Sequence, residues 1–184
     1  MQHKKIAASL FSALKSGKAL TPITETHPGI SIDDAYKISL AFLDLRVVKN
    51  NEKIVGKKIG VTSKAVQDML GVFQPDFGFL TDGMAVLDGR VNVDCLISPR
   101  AEAEIAFKLH TDLKGPGITG KDVLAATKYI QPCFEIVDSR ILDWKIKIQD
   151  TVADNASCGV FILGDKKVNP NDLDMASLEV VVRK

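Results

Sequence analysis

The segment PRAEAEIAF, residues 99–107, places two glutamates two positions apart in an otherwise apolar run. Successive side chains of a strand point to opposite faces, so Glu102 and Glu104 share one face of the predicted strand. Burying two like charges is costly unless a cation, a proton or an arginine compensates them. The pattern therefore predicts either a divalent metal site or the solvent-facing side of an edge strand.

A third glutamate, Glu135, lies in the strand-like segment QPCFEIVDSR. Three carboxylates without paired histidine or cysteine ligands suit a hard ion such as Mg²⁺ or Mn²⁺, which prefers oxygen donors. The histidines do not have the spacing of a zinc site. If the three glutamates converge, they form a metal site; if each faces solvent, they are ordinary surface charges.

The composition narrows the class of protein. The chain of 184 residues is 46% hydrophobic and 26% charged, which is enough for one compact domain with a core. Its formal net charge is only +1, so neither nucleic acid nor an anionic membrane is an expected partner. The N-terminus is too polar for a secretory signal, and the three cysteines are odd in number and widely spaced. We therefore expect a cytoplasmic protein with reduced thiols.

The hydrophobic periodicity predicts an α+β fold with a helical N-terminal region over residues 1–52 and a strand-rich core over 53–184. Helices are predicted over 4–16, after Ser31, after Ser63 and over 120–130. Predicted strands cover 53–61, 91–97, 101–109, 133–138, 159–163 and 178–183. The alternating lysines of VDSRILDWKIKIQD are compatible with the charged face of an exposed strand. The last strand runs to the end without a closing turn, which predicts that a C-terminal part of the fold is missing.

Other polar residues are candidates for chemistry. In GKKIG, Lys57 and Lys58 point to opposite sides of the predicted strand, so one of them faces inward if the strand is in the core. An inward Lys58 could stabilise an enolate oxygen, whereas a solvated lysine is the ordinary alternative. Asp76 in QPDFG, and Asn155 and Ser157 in TVADNASCG, can form hydrogen bonds with a ligand. Loops of this composition are also common turns.

Three segments together carry a family resemblance: GKKIGVTSKAVQDMLGVFQPDFGFLTDGM, ISPRAEAEIAF and CFEIVDSRILDWKIKIQDTVADNASCG. They resemble the 2-oxopent-4-enoate hydratases of aromatic meta-cleavage pathways, also called 2-hydroxypenta-2,4-dienoate hydratases. These enzymes are members of the fumarylacetoacetate hydrolase superfamily. The resemblance extends from about residue 30 to the end and is densest over 53–164.

The resemblance implies a mixed β-roll core preceded by helices, with members of the family continuing several tens of residues past the equivalent of Lys184. It implies a homo-oligomer that binds Mg²⁺ or Mn²⁺. The implied roles are metal ligation by Glu102, Glu104 and Glu135, catalysis by Lys58 and Asp76, and substrate binding by Ser157 with Asn155 beside it.

The implied activity is a hydro-lyase reaction, in which water adds to 2-hydroxypenta-2,4-dienoate and gives 4-hydroxy-2-oxopentanoate. Two alternatives stay open. One is the sister activity on the same scaffold, decarboxylation of 2-oxo-3-hexenedioate (4-oxalocrotonate), which a cation in the distal substrate pocket would favour. The other is a non-catalytic partner subunit in a hydratase–decarboxylase assembly.

Overall fold

The computed structural model describes residues 2–183 and contains helices followed by strands and further short helices. The helices are α1 (Gln2–Ser16), α2 (Ile23–Thr26), α3 (Ile32–Asn50), α4 (Lys64–Leu70), α5 (Gly120–Ala126) and α6 (Ile148–Ala153). The strands are β1 (Ile54–Gly60), β2 (Asp76–Thr81), β3 (Pro99–Leu109), β4 (Thr127–Asp138) and β5 (Val160–Leu163). The predicted α+β class is confirmed.

Helix α1 ends at Ser16 as predicted but begins two residues before the predicted start, and α3 begins after Ser31 as predicted, whereas the sequence does not predict the short helix α2. Gly17 has a φ of 67° directly after α1, a conformation that glycine adopts without steric cost. At the start of α3, the Ser31 hydroxyl accepts a hydrogen bond from the Asp34 backbone N–H at 3.1 Å. The Asp34 carboxylate accepts the Ser31 N–H in return, which completes the predicted capping box.

The chain forms two compact units. The first comprises residues 2–100 and 136–160, and its apolar core joins α1, α3 and α6. Its antiparallel pair β1–β2 extends from Ile54 opposite Thr81 to Gly60 opposite Asp76, with a register shift between Ile54 and Gly56. The second unit comprises residues 101–135 and 161–183 and is built on a sheet with strand order β3-β4-β5. The division of the chain between residues 52 and 53 stays a prediction.

Two predicted strands are wrong. The alternating segment 91–97 instead contains a 3₁₀ turn over Val93–Cys95, because the Asn92 side chain accepts the Asp94 N–H and closes the backbone locally. Residues 178–183 are irregular, and no described strand pairs with them. Hydrophobic alternation alone therefore did not make a strand where a ladder partner was lacking.

Two other segments also differ from prediction. Residues 148–153 form helix α6 and not an exposed strand, since the Asp150 carboxylate accepts the Lys147 N–H and caps the helix while Val152 is fully buried. The helix predicted over 120–130 ends at Ala126, where the β-branched Thr127 begins strand β4. None of the helices within residues 2–183 has the length and apolar content needed to cross a bilayer.

Candidate metal centre and active site

The three predicted metal ligands lie together in the second unit. Glu102 and Glu104 are on β3, Glu135 is on the neighbouring strand β4, and one carboxylate oxygen of each lies within 4.8 Å of the others. Glu102 is exposed, Glu104 is half-buried and Glu135 is only 5% exposed. The two-residue spacing on one strand places the first pair on one face, and strand pairing brings the third glutamate to it.

The dimensions and charge of this glutamate cluster fit a divalent cation. Two oxygens bound to one Mg²⁺ at about 2.1 Å each are at most about 4.2 Å apart. Carboxylate oxygens within 4.8 Å of one another therefore need only small side-chain rotations to bind one ion. Burial, together with the negative charges of Glu104 and Glu135, raises the pKa of the Cys133 thiol to about 11. This shift reflects a negative environment that a cation would neutralise.

Strand pairing in the first unit orients the two adjacent lysines differently. Lys57 is exposed, and its ammonium lies 5.6 Å and 5.4 Å from the ring centroids of Phe77 and Phe79. Lys58 is half-buried and lies opposite Gly78 of β2. Of the two lysines, Lys58 is therefore the one that faces inward, as the alternation requires.

The Lys58 and Asp76 head groups meet above a glycine. Asp76 is 4% exposed and lies opposite Gly60 in the β1–β2 pair. A Cβ added to Gly60 would be 2.3 Å from Asp76 Oδ1 and 3.2 Å from Lys58 Nζ. Only a residue without a side chain leaves room for both charged groups at this place.

The loop after α6 holds the lysine from the other side. Asn155, Ala156 and Ser157 have φ values of 56°, 52° and 52°, a left-handed run that is costly for residues other than glycine. The Ala156 carbonyl accepts a hydrogen bond from Lys58 Nζ at 3.1 Å. Gly78 permits the close approach of this loop, since a Cβ there would be 2.5 Å from the Asn155 carbonyl oxygen.

The two predicted substrate-binding residues of this loop contact protein groups. The Asn155 amide accepts the Phe79 N–H at 2.8 Å and donates to the Phe79 carbonyl at 2.9 Å, which joins the loop to β2. The Ser157 hydroxyl lies 3.1 Å from the Thr151 hydroxyl and is buried. Both residues thus hold the loop in place, and their contact with a substrate stays a prediction.

Sequence reasoning missed the ion pair that anchors this loop. Arg140 and Asp154 are both completely buried, and Arg140 Nε donates to Asp154 Oδ1 at 2.6 Å. The guanidinium also donates to the backbone carbonyls of Asp154 and Cys158, each at 2.7 Å. Arg140 and Asp154 both lie in polar segments between apolar ones, so each could be noticed in the sequence. Their spacing gives no indication that the two residues form an ion pair.

We expect Arg140→Leu to lower the free energy of unfolding by about 3–5 kcal/mol, because it leaves the Asp154 carboxylate buried without its cation. Urea unfolding followed by circular dichroism measures the change. Arg90→Leu is the matched control, since Arg90 is exposed. An equal loss of stability in both variants would contradict the assigned role of the buried pair.

A cavity of about 260 Å³ lies in the first unit and has Asp76 among its lining residues. Its walls come from α3, from the loop before β2 and from α6, and they include Ile32, Tyr36, Val72, Ile148 and Val152. The Tyr36 ring stacks on Phe77 with centroids 4.8 Å apart. Burial and the negative charge of Asp76 raise the pKa of the Tyr36 hydroxyl, so it stays neutral at working pH.

Comparison with known proteins relates this chain to hydratases. The chain is 58% identical over 178 residues to a 2-hydroxyhexa-2,4-dienoate hydratase of Comamonas testosteroni, covering 95% of this chain and 67% of that protein. It is 55% identical over 182 residues to a 2-hydroxypent-2,4-dienoate hydratase of Pseudomonas putida, covering 98% of this chain and 82% of that protein. The chain belongs to the 2-hydroxydienoate hydratase family. No family model matches the chain.

Solved structures extend the family relationship to the fold. A 4-oxalocrotonate decarboxylase from Pseudomonas putida G7, complexed with magnesium and adipate, matches with a TM-score of 0.89 at 35% identity over 95% of this chain. The same enzyme complexed with calcium and acetate matches with a TM-score of 0.87. This chain spans about two thirds of the length of the Comamonas hydratase and of both decarboxylase chains.

Proposed function

We propose that this protein is a metal-dependent hydratase that adds water to 2-hydroxypenta-2,4-dienoate and forms 4-hydroxy-2-oxopentanoate. The observation that carries the proposal is the convergence of Glu102, Glu104 and Glu135 within 4.8 Å in a chain of the hydratase family. The proposed reaction belongs to the hydro-lyase class, and we propose that it serves the breakdown of aromatic compounds by meta-cleavage.

The glutamate cluster is proposed to hold one divalent cation. Oxygen-only donors favour Mg²⁺ or Mn²⁺, and the related decarboxylase was solved with magnesium and with calcium. When bound, such an ion would act as a Lewis acid on the 2-oxo acid end of the substrate. The protein's part is to hold the three carboxylates together in a partly buried place, where their mutual repulsion favours cation binding.

Lys58 is proposed to donate a hydrogen bond to the C2 oxygen of the substrate. The negative charge on that oxygen grows as the dienol becomes an enolate, so a fixed ammonium stabilises the transition state more than the ground state. The bond to the Ala156 carbonyl fixes the direction of the Lys58 side chain before substrate arrives.

Asp76 is proposed to act at the other end of the reacting system. In ketonisation a proton is delivered to C5, and in hydration water attacks C4, so a carboxylate that moves the proton or positions the water lies beside C4 and C5 in either case. Its burial at 4% exposure keeps bulk water away from this step.

Gly60→Ala is expected to lower kcat by as much as about 100-fold, because its Cβ would displace the Asp76 carboxylate. Steady-state kinetics and Mn²⁺ titration measure the effect, and metal affinity should not change. Gly56→Ala is a matched control on the same strand, where the nearest atom to the new Cβ is Leu80 Cδ1 at 3.7 Å. If Gly56→Ala is as damaging as Gly60→Ala, the crowding argument is wrong.

A decarboxylase is the second candidate, because a 4-oxalocrotonate decarboxylase shares the fold at 35% identity. Both reactions begin with a 2-oxo or 2-hydroxy acid and stabilise an enolate, so the metal and lysine arguments apply equally to them. The hydratase is proposed first because identity to the two dienoate hydratases is 58% and 55%.

The test is the ultraviolet absorbance of freshly generated 2-hydroxypenta-2,4-dienoate incubated with the protein and Mg²⁺ or Mn²⁺. The proposal predicts rapid loss of the dienol chromophore that stops after EDTA and returns when the ion is restored. Decay at the rate of the uncatalysed reaction, with metal present in saturating amount, would overturn it.

A further inference from the structure

Tyr36 is a polar residue of the cavity wall to which the proposed roles of Lys58 and Asp76 assign no function. Tyr36 and Asp76 both line the cavity of about 260 Å³. Among the described residues that line this cavity, the polar side chains are Tyr36, Gln74 and Asp76, and Gln74 is exposed. Tyr36 is half-buried, so it is the less exposed of the two polar side chains that accompany the carboxylate.

The Tyr36 ring is held by two elements of the first unit. On α3 it follows the completely buried Ala35, and it packs against the apolar core. On β2 it stacks on Phe77, with ring centroids 4.8 Å apart and ring planes inclined by 19°. Phe77 directly follows Asp76 in the chain and lies opposite Ile59 of β1. The stacking therefore fixes the phenol ring beside the strand that carries the carboxylate.

The Tyr36 hydroxyl lies within electrostatic range of the Asp76 carboxylate. Burial raises the pKa of the hydroxyl, the negative charge of Asp76 raises it further, and the Phe77 backbone acts in the opposite direction. The hydroxyl is therefore neutral while the carboxylate is charged. A neutral hydroxyl offers lone pairs to a water molecule without taking its proton, whereas a carboxylate can take the proton. The two side chains thus suit different tasks on the same water.

We propose that Tyr36 is a further catalytic residue, whose hydroxyl oxygen accepts one hydrogen of the attacking water while the Asp76 carboxylate accepts the other. This proposal rests on the proposed function. Two acceptors fix the directions of both O–H bonds of the water, so that an oxygen lone pair is directed at C4. One water needs about 10–15 Å³, so the cavity has room for it.

The bonds of the hydration step balance. The water oxygen forms a bond to C4 of the enone, the O–H bond that faces Asp76 breaks, and the proton moves to the carboxylate. The electron pair of the C3–C4 double bond moves toward the C2 oxygen and gives the enolate. The Asp76 carboxylic acid then returns the proton to C3, and the C2 carbonyl forms again. Tyr36 keeps its own proton, so it contributes to hydration and not to the earlier delivery of a proton to C5.

Tyr36→Phe tests this division between the two steps. The substitution removes only the hydroxyl and keeps the ring that stacks on Phe77, so the variant should fold, and thermal unfolding checks that it does. The Mg²⁺-loaded protein would be given 2-hydroxypenta-2,4-dienoate. Proton NMR would measure the hydrated product and the released enone, 2-oxopent-3-enoate, and a protein-free blank would give the uncatalysed ketonisation.

The ratio of enone to hydrated product should rise about 10-fold in Tyr36→Phe, the effect of losing one hydrogen bond in the transition state. Both products come from the same active molecules, so the ratio does not depend on the fraction of protein that is folded. Tyr129→Phe is the matched control, since Tyr129 is also half-buried and lies in the second unit, with Lys167 Nζ 5.0 Å from its ring centroid. It should keep the ratio of the unmodified protein.

The outcomes separate this proposal from the proposed function. An unchanged ratio in Tyr36→Phe, an equal rise in Tyr129→Phe, or a parallel loss of both products in Tyr36→Phe would each overturn the role of Tyr36. The parallel loss counts against it because a purely structural role predicts that result. In all three cases the unmodified protein still forms the hydrated product, and the hydratase stands. If the unmodified protein forms no hydrated product, the hydratase itself is overturned and the role of Tyr36 with it.

Discussion

Glu135→Gln should weaken Mn²⁺ binding by more than the roughly 100-fold that loss of an outer-shell partner of a metal ligand costs, and turnover should fall with it. Glu135 is the most buried of the three carboxylates, so an exposed side chain nearby cannot easily take its place as a metal ligand. The substitution removes one negative charge from a cluster next to Cys133, whose thiol pKa is raised by burial and by the charges of Glu104 and Glu135. Glu102→Gln and Glu104→Gln should act in the same direction.

Calorimetric titration with Mn²⁺ measures the affinity directly, and thermal unfolding gives an independent readout. Saturating metal should raise the unfolding temperature of the unmodified protein, by the mass-action stabilisation of about 2.7 kcal/mol at 100 times Kd, and should do so much less in the variant. Glu179→Gln is the control, because Glu179 is an exposed glutamate of the same unit. Unchanged affinity in Glu135→Gln would reject its assignment as a ligand.

Lys58→Ala is expected to lower kcat about 100- to 1,000-fold, the usual cost of removing one positioned donor from a developing oxyanion. The loss should appear in kcat and kcat/KM together, since the interaction strengthens in the transition state. Mn²⁺ affinity should stay as it is, because the proposed metal ligands are the three glutamates and Lys58 is not one of the ligands.

The adjacent lysine provides an unusually close control. Lys57→Ala removes the same charge one residue away, but Lys57 is exposed and lies over the rings of Phe77 and Phe79. It should keep near-normal kcat. Equal losses in the two variants would show that the positive charge of the strand matters and that the inward placement of Lys58 does not.

Features encoded within a few residues were predictable from the sequence. The capping box at Ser31, the helix after Ser63 and the side-by-side placement of Glu102 and Glu104 all follow from local geometry. The convergence of Glu135 with that pair was only a hypothesis, because it depends on which strands become neighbours. Strand alternation identified the three glutamates as candidate metal ligands, and the sheet order β3-β4-β5 places them next to one another.

Features that depend on distant partners were not predictable. The bond between Lys58 and the Ala156 carbonyl and the cavity lined by Asp76 join segments that are far apart in the chain. The Arg140–Asp154 pair joins residues 14 positions apart, across a loop and helix α6 that no short-range pattern relates. Helix α6 was missed because lysine and isoleucine alternate like a strand over residues 145–148, directly before the helix and at its first residue, while the Asp150 cap counts for more. In each case a hydrogen bond or a packing contact determines the structure, and the local sequence pattern does not reveal that contact.

The measurement that tests the central claim most directly is a product analysis by mass spectrometry with two substrates side by side. The Mg²⁺-loaded protein would be given 2-hydroxypenta-2,4-dienoate in one reaction and 2-oxo-3-hexenedioate in the other, with EDTA-treated samples as blanks. We predict a metal-dependent product heavier than the dienoate by one water, and no release of CO₂ from the diacid. Metal-dependent CO₂ release with the dienoate left unhydrated would contradict the hydratase and identify the decarboxylase instead.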